Sequence, residues 1–111
     1  MSTLFIFPGQ GAQYCGMGKD LYENYDLARE VYDRASDVLG FDIVDLSFND
    51  PGGELNLTRF TQPALLTHQV ACLEVFRELN GGKLEPDLTA GHSLGEYSAL
   101  VAAGYLDFDS A

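Results

Sequence analysis

An apolar, β-branched and aromatic run from Thr3 to Phe7 stops at Pro8-Gly9, which predicts a short buried strand ending in a loop. Gly9, Gly11, Gly16 and Gly18 make that loop rich in glycine and suit it to close backbone approach. From Leu21 to Leu39, the residues Leu27, Val31, Ala35, Val38 and Leu39 recur at helical spacing, and Gly40 supplies a left-handed stop. Asp42 to Phe48 reads as a short amphipathic turn or helix, closed by the turn cluster Asn49-Asp50-Pro51-Gly52-Gly53. Thr61 and Gln62 precede Pro63, whose missing N–H suits a first helical position. Ala64, Leu65, Leu66, Val70, Leu73, Phe76 and Leu79 then carry a long helix to Asn80-Gly81-Gly82. That helix is apolar around much of its circumference and is expected to be buried. Pro86 introduces a short segment, Asp87 to His92, that turns at Ser93 into a helical run from Leu94 to Ala103, ended by Gly104. A last element begins with Asp107 in the N-cap position, and the chain stops inside its first turn, which reads as truncation.

Strand, tight turn and helix frame Gly91-His92-Ser93-Leu94-Gly95, a G-x-S-x-G sequence. The chemistry needs each part. A serine on a sharp strand-to-helix turn presents its hydroxyl above the sheet, and flanking glycines remove Cβ atoms that would collide there. The backbone N–H of Leu94 points the same way, and the positive end of the following helix helps it hold an oxyanion. The loop Pro8-Gly9-Gln10-Gly11-Ala12-Gln13 also follows a strand, and open parallel sheets bind ligands at the carboxyl ends of their strands, so the two loops are expected to meet. Nucleotide motifs fail on spacing: Gly18-Lys19 is followed by Asp20, Gln13 stands where a P-loop needs glycine, and Tyr14 breaks G-x-G-x-x-G.

Two histidines compete for the role of base. His92 leaves the strand beside Ser93, but neighbouring strand side chains point to opposite faces, so its imidazole is directed away from the hydroxyl. His68 lies midway along the buried-type helix, with no cysteine or second histidine expected at ligand spacing, and reads as a packed or partly exposed helical residue.

Composition narrows the rest. The 111 residues suffice for one compact domain or part of one, and 46% hydrophobic with 21% charged residues is a globular balance. The net charge of −11, from 17 acidic against 6 basic side chains, opposes nucleic acid and anionic membranes. The acidic residues between Asp20 and Glu54 fall where outer helix faces would be, a solvated surface. Cys15 and Cys72 lack CxxC spacing, so a zinc site or disulfide framework has no support. With no signal peptide and no apolar run near the roughly 20 residues of a spanning helix, a cytoplasmic setting is expected.

Phe7-Pro8-Gly9-Gln10-Gly11-Ala12-Gln13, Thr61-Gln62-Pro63-Ala64-Leu65 and Gly91-His92-Ser93-Leu94-Gly95-Glu96-Tyr97-Ser98-Ala99-Leu100, in that order, resemble the malonyl-CoA:acyl carrier protein transacylases of fatty-acid and polyketide synthesis. The resemblance covers essentially the whole chain but only the first third or so of such an enzyme. It implies an α/β fold, part of an α/β-hydrolase-like parallel sheet with flanking helices and a nucleophile elbow. Residues 1–111 would be the N-terminal part of the large acyltransferase subdomain, without the ferredoxin-like subdomain. Ser93 would be the nucleophile, the backbone amides of Gln10 and Leu94 the oxyanion hole, and Gln62 a residue lining the acyl pocket or simply starting its helix. The substrate implied is malonyl-CoA and the partner an acyl carrier protein, with no metal or redox cofactor. The family's catalytic histidine, its carboxylate-pairing arginine and a further glutamine would come after residue 111, so the fragment alone is expected to be inactive. Its helix face around Leu65, Leu66, Val70 and Phe76 would be uncovered. Two rivals remain: a serine hydrolase or thioesterase with the same elbow, and a non-catalytic interaction fragment.

Overall fold

The computed structural model describes residues 4–81, 88–92, 94–104 and 106–111, for Leu88 the backbone alone. Its elements run β1 (Leu4–Phe7), α1 (Lys19–Asn24), α2 (Asp26–Leu39), α3 (Ile43–Phe48), α4 (Thr58–Asn80), β2 (Leu88–Gly91) and α5 (Gly95–Ala102), followed by a 3-10 turn at Phe108–Ser110. β1 and β2 pair in parallel, with Leu4 opposite Leu88 and Phe7 opposite Gly91. The reading of an α/β chain with a small parallel sheet and flanking helices is borne out at that level. Thr3, Gly82, Pro86 and Asp87, which the sequence reading placed at element ends, lie outside the described residues.

The long helix α4 is the spine. On one side α1, α2 and α3 pack against it, and on the other side α5. Met17, Tyr32, Ile43, Leu55 and Leu65 form the fully buried centre of the helical side. There the rings of Tyr22, Tyr32 and Phe48 meet with centroids 5.3–6.0 Å apart. A smaller cluster of Phe7, Leu73, Ala99 and Ala102, flanked by Phe5, joins β1, α4 and α5. The acidic residues of α2, Asp26, Glu30, Asp33 and Asp37, all face solvent.

Four expectations need correction. The helix expected from Leu21 to Leu39 breaks at Tyr25, which is extended (φ −132°, ψ 124°). The Arg29 guanidinium stabilises the break by donating to the carbonyls of Tyr22 (2.9 Å) and Glu23 (3.5 Å) at the end of α1, groups a helix terminus leaves without partners. The long helix begins at Thr58, so Pro63 lies inside its second turn; Arg59, whose carbonyl would have bonded the missing N–H, is solvent-exposed. β1 is buried on one face only, with Leu4 and Ile6 at 51% and 70% exposure. Leu65, Leu66 and Val70, expected to be uncovered, are buried within these residues, Leu65 in the core cluster with Tyr32, Ala35 and Leu94, and only Phe76 of that group is exposed.

Candidate active site

The parallel pairing sets the site. The strand ladder continues past Gly91 with the His92 N–H donating to the Phe7 carbonyl at 3.1 Å, so the chain after β1 and the chain after β2 leave the sheet side by side. The Gly95 N–H then donates to the His92 carbonyl at 3.0 Å, closing the turn into α5. Three glycines make this approach possible. A Cβ on Gly95 would overlap the Phe7 carbonyl and lie 2.8 Å from the Pro8 oxygen; one on Gly91 would overlap the backbone of Gly95 and Glu96; one on Gly9 would overlap the His92 carbonyl. Main chain rests directly on main chain, and any side chain would wedge the two loops apart.

Ser93 lies outside the described residues, and so does the expected reach from the Gln10 amide to its hydroxyl. Its neighbours His92 and Gly95 both touch the loop that carries Gln10. The Gln10 side chain donates to Thr58 Oγ1 at 3.1 Å, and that of Gln13 donates to Asn56 Oδ1 at 2.7 Å, tying the loop to the start of α4. Gln62, exposed, stands one turn after Thr58 on α4. It shares with Pro63, Leu66, Leu94, Tyr97 and Phe108 the wall of a cavity of about 310 Å³ between α2, α4 and α5. Gln62 and Leu94 are thus brought together, and Gln10 is held near the same end of α4.

Sequence reasoning passed over two further residues. Gln69 and Ser98 are buried and bonded to each other, and Gln69 also donates to the Pro8 carbonyl. The available signal was a glutamine on a helix stretch otherwise filled by Leu65, Leu66, Val70 and Leu73, since an uncharged polar side chain buried among apolar ones needs partners.

The two histidines differ. His68 is packed, with Nδ1 3.3 Å from the Tyr32 hydroxyl and, against the expectation that no cysteine stood at ligand spacing, Nε2 3.6 Å from the Sγ of Cys72 one helical turn on. Burial pushes its imidazole below the ordinary histidine range against an opposing pull from Asp20, and burial raises the Cys72 thiol and the Tyr32 hydroxyl. The group is therefore neutral at physiological pH, and its thiol is not activated. His92 is exposed, with Nδ1 against Gly9. Cys15 is exposed, its thiol donating to the Phe48 carbonyl at 3.4 Å. No described helix is long and apolar enough to cross a membrane.

This is an α/β protein in which two glycine-bearing loops interlock at the carboxyl ends of parallel strands, where such sheets bind ligands. Over residues 4–111 the chain matches the acyl transferase domain family, and it belongs to that family. It is 53% identical over 109 residues to a malonyl CoA-acyl carrier protein transacylase of Staphylococcus aureus (strain MRSA252), covering 98% of this chain and 34% of that protein. A solved malonyl CoA-acyl carrier protein transacylase from Clostridium perfringens superimposes with a TM-score of 0.92 at 45% identity, over 98% of this chain and 34% of that one. A second solved structure, a type II PKS acyl-carrier protein in complex with its malonyl-transacylase, superimposes with a TM-score of 0.90 at 48% identity, over 98% and 35% of the two chains. The chain thus spans about a third of the length of the relatives it matches.

Proposed function

We propose that this chain carries the acyl-accepting half of a malonyl-CoA:acyl carrier protein transacylase site, as part of the large subdomain of an α/β-hydrolase-like fold. Ser93 is the nucleophile. Its hydroxyl oxygen attacks the thioester carbonyl of malonyl-CoA, the C–S bond breaks, and coenzyme A leaves as the thiol, taking up the proton that the serine loses. The phosphopantetheine thiol of an acyl carrier protein then attacks the seryl ester, the C–O bond breaks, and the proton returns to Ser93. The negative charge on the carbonyl oxygen in both tetrahedral states is held by the Gln10 and Leu94 N–H groups. Gln62 lines the space for the acyl group. Neither histidine of the chain is assigned as base: His68 is packed between Tyr32 and Cys72, and His92 keeps the bland role of a residue on the strand-to-turn boundary. The base and the carboxylate-pairing arginine are proposed to come from the part of the transacylase beyond these residues.

The observation that carries this reading is the interlock of Gly9, Gly91 and Gly95, which sets the loop that carries Gln10 against the turn that carries Leu94. The relatives named as malonyl transacylases support the acyl group, and the solved complex supports the carrier-protein partner. The test is mass spectrometry of the full-length protein after incubation with malonyl-CoA. A malonyl adduct is expected on the peptide containing Ser93 and none in Ser93→Ala, with transfer to a carrier protein lost by at least about 10³-fold. An adduct on another residue would falsify the nucleophile, and an adduct discharged to water faster than to the carrier protein would turn the assignment to a hydrolase.

A further inference from the structure

Gln69 has both ends of its amide engaged inside the protein. It is 6% exposed and Ser98 is fully buried. Gln69 Nε2 donates to the Pro8 carbonyl oxygen at 2.7 Å, and Ser98 Oγ donates to Gln69 Oε1 at 2.5 Å. The orientation is forced, because a carbonyl only accepts: the amide nitrogen must face Pro8, leaving the amide oxygen for the Ser98 hydroxyl. One side chain of α4 thereby couples the loop after β1 to α5.

The coupled groups are not arbitrary. The Pro8 carbonyl belongs to the peptide unit immediately before the one that carries the Gln10 N–H, and α5 begins one residue after Leu94. Within the loop the Gly11 N–H donates to Gln13 Oε1 at 2.7 Å and the Ala12 N–H to the Gly9 carbonyl at 3.3 Å. Pro8, Gln10, Gly11 and Ala12 are exposed, and the side-chain ties from Gln10 to Thr58 and from Gln13 to Asn56 are exposed as well, where water competes for both partners. The Gln69 bond is part-buried and comes from a buried side chain, so that competition is weaker there.

We infer that Gln69 and Ser98 are positioning residues that fix the spacing of two backbone donors, the Gln10 and Leu94 N–H groups, around the carbonyl oxygen of the bound thioester. This rests on the reading of those amides given above. Such donors act only when held within about 0.5 Å of their productive place. The Gly9–His92 contact stops the loops from moving closer, and the glutamine stops them from moving apart.

The experiment is a set of kinetic cycles on the full-length protein, following coenzyme A release from malonyl-CoA. Gln69→Leu is expected to lower kcat about 10–100-fold with KM changed less than about 2-fold, and Ser98→Ala to lower it about 5-fold with the same split. Gln10→Pro deletes the N–H and should cost about 10²–10³-fold, whereas Gln10→Ala, which keeps it, should cost less than about 5-fold. In the Gln10→Pro background, Gln69→Leu should add less than about 3-fold, because the donor it positions is gone. A full 10–100-fold further loss in that background, or a Gln69→Leu effect confined to KM, overturns the inference while leaving the oxyanion assignment standing. Gln10→Pro with unchanged kcat sinks the oxyanion assignment, and the positioning role with it. Should Gln69→Leu lose its cooperative melt, Ser98→Ala in the same cycle decides the matter, since it removes a single oxygen from a packed site.

Discussion

The two sides of α4 are held together by different means. On the helical side, Tyr32, Met17, Ile43 and Leu55 fill space with side chains, and the rings of Tyr22, Tyr32 and Phe48 pack together, two pairs edge to face and one tilted. On the sheet side, glycines let peptide groups touch, and a glutamine-serine pair adds directed hydrogen bonds. The first arrangement tolerates small shifts, because dispersion and apolar burial depend weakly on angle. The second does not, because contacts between main chains have no rotamer to absorb an error. The proposed site, which would place two N–H groups around one oxygen atom, is built from the second kind.

The comparison can be broken most sharply at Gly95. Gly95→Ala places a methyl group where the Phe7 and Pro8 carbonyls stand, and it is expected to cost about 3 kcal/mol, at the upper end for overpacking, together with about 10²-fold or more in acyl transfer. Thermal melting beside turnover of the full-length protein checks both, and unaltered turnover would show that the interlock is dispensable. Tyr32→Phe probes the opposite side. It removes a hydroxyl that donates to the Met17 carbonyl at 3.4 Å and faces His68 Nδ1, and about 1 kcal/mol of stability should go with it while kcat holds within about 2-fold. If kcat fell with stability, the two sides would be coupled more tightly than their separate means of packing allow.

The smallest effect is one of pH. His68 is held neutral by burial, so the stability this gives is fully present above the ordinary histidine pKa of about 6.5. Below it the unfolded chain binds a proton that the folded chain refuses, and stability falls until the folded group also titrates. His68→Gln should therefore melt with a shallower loss between about pH 7 and pH 5 than the wild type. Parallel slopes would mean that the imidazole is not desolvated.

Much of this was legible in the chain. The β1 strand, the Gly40 and Gly81 helix stops and the turn between β2 and α5 follow from short-range pattern: both glycines sit at positive φ, 80° and 64°, where the lack of a Cβ decides the residue. The joining of the two glycine loops was legible from topology, since parallel strands release their chains at the same end. The break at Tyr25 was not, because apolar periodicity continues through it and the stabilising partner is the side chain of Arg29, a residue whose charge says nothing of its aim. The start of α4 at Thr58 was hidden by Pro63, which reads as a first-turn residue. Gln69 was hidden by its neighbours, since a period of apolar positions marks a polar residue only as a gap.

The pairing of Leu4 with Leu88 also has a consequence in time. Residues that touch across so long a stretch of chain pay a large closure entropy before any contact repays it. During synthesis, β1 leaves the ribosome well before β2 exists, and the helical flank can collapse while the first strand waits, Leu4 and Ile6 bare and its ladder unpaired. The proposed site would then be the last part to assemble and the one most exposed to wrong partners, the interval in which a newly made chain of this kind is most at risk of aggregation.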